Sequence, residues 1–168
     1  MSAGRFHPHK GFSRLLDVAS LLRNDDIFFK IVGSGELKKQ LEEKIDNLGI
    51  GDKVQILPAV KDLKKVILES DLVVMTSTTE AFPMVMIESF SCYRPVVAFD
   101  CPVGPREILV DGDNGFLIED GDVQLFAEHL KQIHSYPDLY QRLSRGAKNY
   151  AKSNNLELNY KLWLNIID

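Results

Sequence analysis

The sequence contains little of what marks disulfide-bonded, membrane-spanning or nucleic-acid-binding proteins. Its 168 residues include two cysteines, Cys92 and Cys101, in neither a CxxC pair nor a metal-ligand spacing, so we expect two reduced thiols in a cytoplasmic protein. No apolar run approaches the roughly 20 residues of a membrane span, and no signal peptide is visible. The net charge of −4 argues against a nucleic-acid partner and against binding of this domain by itself to anionic lipid.

Three common ligand-binding motifs are also missing. The glycine-rich segment 32–36 lacks the third glycine of GxGxxG and does not match the P-loop pattern. Gly33 therefore either belongs to a plain tight turn or lets the backbone approach a ligand closely, and both interpretations stay open. His7 and His9 have no third ligand nearby, so we expect no metal site.

The composition is that of one ordinary globular domain, with 45% apolar and 26% charged residues. A chain of this length buries roughly 68–70% of its unfolded surface, which is enough for a stable core. Residues 1–3 resemble a short leader added ahead of Gly4, so we expect a piece of a longer protein. We expect one domain over 1–152 and a separate terminal helix over 153–168, which contains Trp163 and packs toward a missing partner domain.

Strand-like and helix-like segments alternate along the chain. Near-continuous apolar strands such as 71–77 and 95–100 suit a sheet covered on both faces, so the pattern predicts an α/β fold with a doubly wound parallel sheet. Ligands of such a fold bind beyond the carboxyl ends of the strands. The loops expected to form the site are 4–11, 33–36, 58–61, 77–84 and 100–106.

Two glutamates flank a predicted helix start at Pro83. Such a start carries unpaired N–H groups and a positive dipole end, which favours a phosphate. Glu80 and Glu88 would repel phosphate but accept hydrogen bonds from sugar hydroxyls. A nucleotide sugar would therefore pair its phosphates with the helix start and its hydroxyl groups with the two glutamates. The alternative is that a glutamate near a helix start is favourable for dipole reasons alone.

Cations in the neighbouring loops fit the same ligand. Arg5 and Lys10 follow a predicted first strand and would neutralise a diphosphate; the alternative is two solvated surface charges. Gly104 and Arg106 would add N–H groups and a further cation. Cys101 has no histidine near it in sequence and is not expected to be a nucleophile.

The segments "GRFHPHKG", "FKIVGSGE", "VQILPAV", "EAFPMVMIE" and "FDCPVGPREI" together carry a family resemblance over nearly the whole chain. The sequence resembles the C-terminal, nucleotide-sugar-binding domain of retaining GT-B glycosyltransferases with the E-x7-E motif. The branch that it resembles builds capsular, O-antigen and other lipopolysaccharide glycans. The implied fold is the Rossmann-like half of a GT-B enzyme.

The resemblance assigns a role to each candidate residue. Arg5 and Lys10 would hold the donor diphosphate, Glu88 would accept from the ribose, and Glu80 would contact the donor sugar. The resemblance implies that the backbone at Ala59 and Val60 faces the base. It implies that the backbone at Phe82, Pro83 and Met84 lies near the sugar and distal phosphate. Gly33, in the glycine-rich turn, is a further implied donor-binding position. The family more often has glycine where Pro83 stands, and proline removes one N–H donor.

The implied reaction transfers a hexose from a nucleoside diphosphate sugar to a glycan or lipid-linked acceptor. The resemblance implies UDP as the nucleotide of this donor. It needs no metal or other cofactor, and the acceptor site belongs to the missing N-terminal domain. The full-length enzyme would work in the cytoplasm, with peripheral attachment to the inner face of the membrane as an option. The fragment alone is expected to be inactive.

Three rival functions remain open from the sequence. A dinucleotide oxidoreductase is opposed by the missing GxGxxG and by the lack of an acidic residue at the end of the second strand. A non-catalytic nucleotide-binding domain would retain the fold without the chemistry. A sugar-nucleotide epimerase of related architecture would place its catalytic histidine in another domain.

Overall fold

The computed structural model describes residues 1–154 and shows six strands and seven helices in alternation. The strands are β1 Ser2–Arg5, β2 Phe29–Ser34, β3 Val54–Pro58, β4 Val73–Met75, β5 Val96–Phe99 and β6 Gly115–Ile118. The helices are α1 Phe12–Leu21, α2 Lys38–Leu48, α3 Leu63–Leu68, α4 Met84–Ser91, α5 Pro105–Ile108, α6 Val123–Ser135 and α7 Pro137–Ser153. A 3₁₀ turn, Pro8–Lys10, lies between β1 and α1.

All strand pairs are parallel, in two groups ordered β1-β2-β3 and β4-β5-β6. Met1 joins the groups, because its amino group donates to the Leu72 carbonyl and its carbonyl accepts from the Val74 N–H, each at 2.8 Å. The resulting spatial order, β3-β2-β1-β4-β5-β6, reverses direction between β1 and β4, as in a doubly wound sheet. The predicted fold class is confirmed.

Side chains of the strands alternate between two buried clusters, one on each face of the sheet. Ile31 belongs to the cluster that α1, α2 and α6 cover, whereas its neighbour Val32 belongs to the cluster under α3, α4 and α7. Val74 and Val73 divide between the two clusters in the same way. Because both faces of the sheet are covered, β4 and β5 are buried at every position, which explains their continuous apolar runs.

The structure differs from the sequence-based predictions at two places. Residues 2 and 3 belong to β1 and Ser2 is buried, so this segment does not lie outside the fold. Pro83 is the N-cap of α4 rather than the start of the helix, which begins at Met84. Glycines cap two other helices in the left-handed conformation: Gly11 precedes α1 with φ +61°, and Gly49 closes α2.

The last helix described, α7, ends at Ser153, one residue beyond the predicted domain boundary at 152. The helix expected over 153–168, with Trp163, otherwise lies outside the described residues. Within residues 1–154, none of the helices has the length and apolar character that crossing a bilayer requires.

Candidate functional site

The loops after β1 and β4 meet at the point where the strand order reverses. Thr76 Oγ1 donates to the Gly11 carbonyl at 3.0 Å, and the Thr78 N–H donates to the His9 carbonyl at 2.9 Å. The contact is possible because Gly11 has no side chain: a Cβ there would lie 1.9 Å from the Thr76 carbonyl oxygen. The two loops are therefore fixed against each other at the place where doubly wound folds bind ligands.

Lys10 and Glu80 form the centre of this crevice. Lys10 Nζ lies 2.6 Å from Glu80 Oε1, and the buried Ser77 hydroxyl donates to the same oxygen at 2.7 Å. The Glu80 side chain is only 8% exposed and that of Lys10 is 32% exposed. Two donors thus hold one carboxylate oxygen, while Glu80 Oε2 makes no hydrogen bond to another side chain or backbone group of residues 1–154.

The loop after β5 packs directly against Glu80. A Cβ on Gly104 would lie 3.3 Å from Glu80 Cβ and 3.0 Å from Pro83 Cδ, and Gly104 has φ +97°. Its neighbour Val103 has φ +60°, which is strained for a β-branched residue, and is 63% exposed. Strain of this kind at the edge of a crevice is typical of a functional loop.

Arg106 does not extend a free cation into the crevice. Its Nε and Nη2 atoms donate to the two carboxylate oxygens of Asp100 at 3.0 and 2.6 Å. That hydrogen bonding raises the pKa of Arg106. The Nε and Nη2 donors of Arg106 are therefore used within its own loop.

The start of α4 offers fewer backbone donors than the sequence predicts. Pro83 has no N–H and is buried, and the Met84 N–H already donates to the Phe82 carbonyl at 2.9 Å. The side chains of Phe82 and Met84 are exposed beside the crevice. Glu88 follows one turn into α4 as an exposed residue, and partial desolvation raises the pKa of its carboxyl.

A cavity of about 540 Å³ lies at the carboxyl ends of β1, β2 and β3 and brings together four predicted residues: Arg5, Gly33, Ala59 and Val60. Arg5 is the last residue of β1 rather than part of a loop, with its side chain 77% exposed and 4.0 Å from Glu36. Gly33 lies inside β2, where a Cβ would come 1.9 Å from the Gly4 carbonyl oxygen. Close packing against β1 thus accounts for this glycine.

A second cavity, of about 490 Å³, lies at the opposite ends of the strands and is lined by Met1, Phe28, Asp71 and Tyr140, among others. It contains none of the predicted site residues. The residues described contain no group of three or more His, Cys, Asp or Glu side chains able to hold a metal ion.

Two residues that the sequence did not single out shape the crevice: Gly11 and Ser77. The spacing of Ser77, three residues before Glu80, is the one signal that was available for it. Arg14 stacks its guanidinium 4.1 Å from the centroid of the Phe99 ring and pairs with Asp120.

Cys101 is buried beside this crevice. Burial raises the pKa of its thiol, with further contributions from Glu80 and Asp120. A raised pKa lowers the fraction of reactive thiolate; that Cys101 is not a nucleophile stays a prediction.

Comparison with known proteins extends these observations. The family model described as "Glycosyl transferases group 1" matches residues 1–150. The amylovoran biosynthesis glycosyltransferase AmsD of Erwinia amylovora is 31% identical over 168 residues, which cover 100% of this chain and 47% of that protein. The chain therefore spans about half the length of this curated relative.

Solved structures agree with the fold. Anabaena HepE in complex with UDP superposes with a TM-score of 0.86 at 26% identity, over 98% of this chain and 48% of that one. TarM reaches a TM-score of 0.88 at 29% identity, over 99% of this chain and 34% of that one. The predicted Rossmann-like half of a GT-B fold is confirmed, and the chain belongs to the glycosyl transferases group 1 family.

Proposed function

We propose that this domain binds the nucleotide-sugar donor of a retaining glycosyltransferase that transfers a hexose in cell-surface polysaccharide synthesis. The observation that carries the proposal is the Lys10–Glu80 pair at the reversal of strand order, 2.6 Å between Nζ and Oε1. It sets a cation suited to a diphosphate beside a carboxylate suited to sugar hydroxyls. The named role of AmsD in amylovoran biosynthesis and the UDP bound to HepE support it.

Apart from Gly33, whose packing against β1 accounts for it, each remaining candidate residue has a place in this proposal. Ala59 and Val60 line the same cavity as Arg5, so the base occupies that cavity and Arg5 assists Lys10 at the diphosphate. Glu88 accepts from the ribose, and backbone groups at 82–84 border the sugar. Charge that develops on the leaving diphosphate is stabilised by these fixed cations, without a metal.

The other substrate and the cellular setting follow from the same proposal. The acceptor, a glycan or a lipid-linked sugar, binds to a further domain of a longer protein. The reaction takes place in the cytoplasm, with peripheral attachment to the inner face of the membrane. The 168-residue chain by itself binds donor weakly and transfers no sugar.

Calorimetric titration of the chain with UDP, GDP and NAD tests the proposal. We expect one nucleoside diphosphate, UDP, to bind, and Lys10→Ala and Glu88→Ala each to weaken binding. Glu69→Gln is the matched control, because Glu69 is an exposed carboxylate paired with Lys30 at the opposite end of the sheet. Preferential binding of NAD would favour an oxidoreductase instead, and equal binding by all variants would contradict the assigned site.

A further inference from the structure

The proposed function assigns Lys10 to the donor diphosphate and Glu80 to the donor sugar, and in this structure the two side chains bind each other. The pair is tight and mostly shielded, with 2.6 Å between the charged atoms and a carboxylate side chain that is 8% exposed. An ion pair of this kind is harder to replace than one on the open surface. A diphosphate must therefore compete with Glu80 for the Lys10 ammonium.

The geometry of the pair is fixed from both sides. Ser77 is buried, and its hydroxyl holds Glu80 Oε1 at 2.7 Å. The Lys10 stem lies along Gly4, where a Cβ would come 3.4 Å from the lysine Cδ and Cε atoms. Contacts with Ser77 and Gly4 therefore hold the Glu80 and Lys10 side chains in position for their ion pair.

Other cations around the crevice do not replace Lys10. Arg106 is bound by Asp100 and Arg14 by Asp120. Arg5 is largely exposed, with its nearest carboxylate, Glu36, at 4.0 Å. Among the guanidinium groups described around the crevice, Arg5 is the one whose carboxylate contact is weakest. A diphosphate reaches Lys10 only at the cost of the contact with Glu80.

We propose that Glu80 makes nucleotide affinity depend on the sugar, by withholding Lys10 from a nucleoside diphosphate that carries none. This inference rests on the proposed function. A bare diphosphate takes Lys10 and leaves the mostly buried carboxylate without its cation, which is costly. A sugar-bearing donor supplies hydroxyl groups that donate to Glu80 in exchange. After transfer the product has lost those hydroxyls, so Glu80 recovers Lys10 and favours release of the product.

The test compares the affinity of the 168-residue chain for UDP with its affinity for UDP-glucose, UDP-galactose and UDP-N-acetylglucosamine. In the unmodified chain, at least one UDP-sugar should bind more tightly than UDP. In Glu80→Gln, UDP should bind about fivefold more tightly, since even an exposed pair is worth up to roughly this factor. The preference for the UDP-sugar should disappear.

A double-mutant cycle shows whether Glu80 acts through Lys10. Glu80→Gln should tighten UDP binding in the presence of Lys10 and should have no such effect in the Lys10→Met background. Glu80→Ala supplies a second variant should Glu80→Gln unfold, and Glu69→Gln controls for the change in net charge at the far end of the sheet.

The outcomes separate the two proposals. If the unmodified chain binds no nucleoside diphosphate or UDP-sugar, the proposed function falls and this inference falls with it. If UDP binds and Glu80→Gln leaves its affinity unchanged or weakens it, the inference alone is overturned. It is also overturned if the tightening persists without Lys10, because Glu80 would then act by general repulsion.

Discussion

The Gly11 carbonyl accepts a hydrogen bond from the buried Thr76 hydroxyl at 3.0 Å, and this contact sets the distance between the two central loops. Gly11 has φ +61°, and a Cβ there would lie 1.9 Å from the Thr76 carbonyl oxygen. Lys10 is the residue before Gly11, and Ser77 follows Thr76. The meeting of these two loops is thus what brings Lys10 to Glu80.

Gly11→Ala should destabilise the domain by about 3 kcal/mol, from left-handed strain and overpacking together. Gly49→Ala is the matched control, because Gly49 has φ +63° and a Cβ on it would have no other atom within 4 Å. It should cost only about 1 kcal/mol. Urea unfolding of both variants measures the difference, and equal losses would show that contact with Thr76 is not tight.

Val103→Gly should stabilise the domain by about 1 kcal/mol. The left-handed backbone of Val103 costs ~1–3 kcal/mol, and glycine removes that strain while adding about 0.4–1 kcal/mol of unfolded-state entropy. Val110→Gly is the control, since Val110 is also exposed but does not have a positive φ. It should destabilise, and a loss of unfolding free energy in both variants would contradict strain at Val103.

Much of the fold was predictable because the apolar pattern of the strands is dictated by burial on two faces. Ile31 and Val32 point into different clusters, so neither position tolerates a polar residue. The alternation of strands and helices then predicts parallel pairing, whereas the return from β3 to β4, across β2 and β1, is a tertiary feature that the alternation does not specify. Boundaries were less accurate at Pro83, because the position of the cap depends on a bond from the Met84 N–H to the Phe82 carbonyl.

The site was predictable as a set of loops, but its pairings were not. Parallel strands bring the loop of Lys10 and the loop of Glu80 to one edge, 70 positions apart in sequence. Whether a cation there stays free depends on which carboxylate the folded loops bring to it. Asp100 holds Arg106 and Glu80 holds Lys10, and both outcomes require tertiary distances that spacing alone does not contain.

Glu88 should make the stability of the domain fall as pH rises. Desolvation raises its folded-state pKa above the ordinary value of 4.5, so the folded state binds the proton more tightly than the unfolded state. The favourable contribution is complete below pH 4.5 and is lost as pH rises through the folded-state pKa.

Unfolding free energies of the unmodified chain and Glu88→Gln, measured from about pH 4 to 7, should therefore diverge in favour of Glu88→Gln. Glu43→Gln, an exposed α2 carboxylate paired with Lys39, is the control; a difference that does not vary with pH would contradict the assignment.

Lys10 and Arg106 should contribute unequally to diphosphate binding, although both were expected to supply a cation. Lys10→Ala should weaken binding of a UDP-sugar about tenfold, which corresponds to the ~1.4 kcal/mol of a charge-assisted contact. Arg106→Ala should change it by less than about twofold, because Nε and Nη2 of Arg106 already donate to the two carboxylate oxygens of Asp100. Asp100→Asn weakens that hold and gives the sharper comparison: it should raise UDP affinity if the released Arg106 reaches the ligand. Titration calorimetry of the three variants decides the matter, and an equal loss in Lys10→Ala and Arg106→Ala would place the diphosphate nearer to the β5 loop than to the β1–β4 crevice.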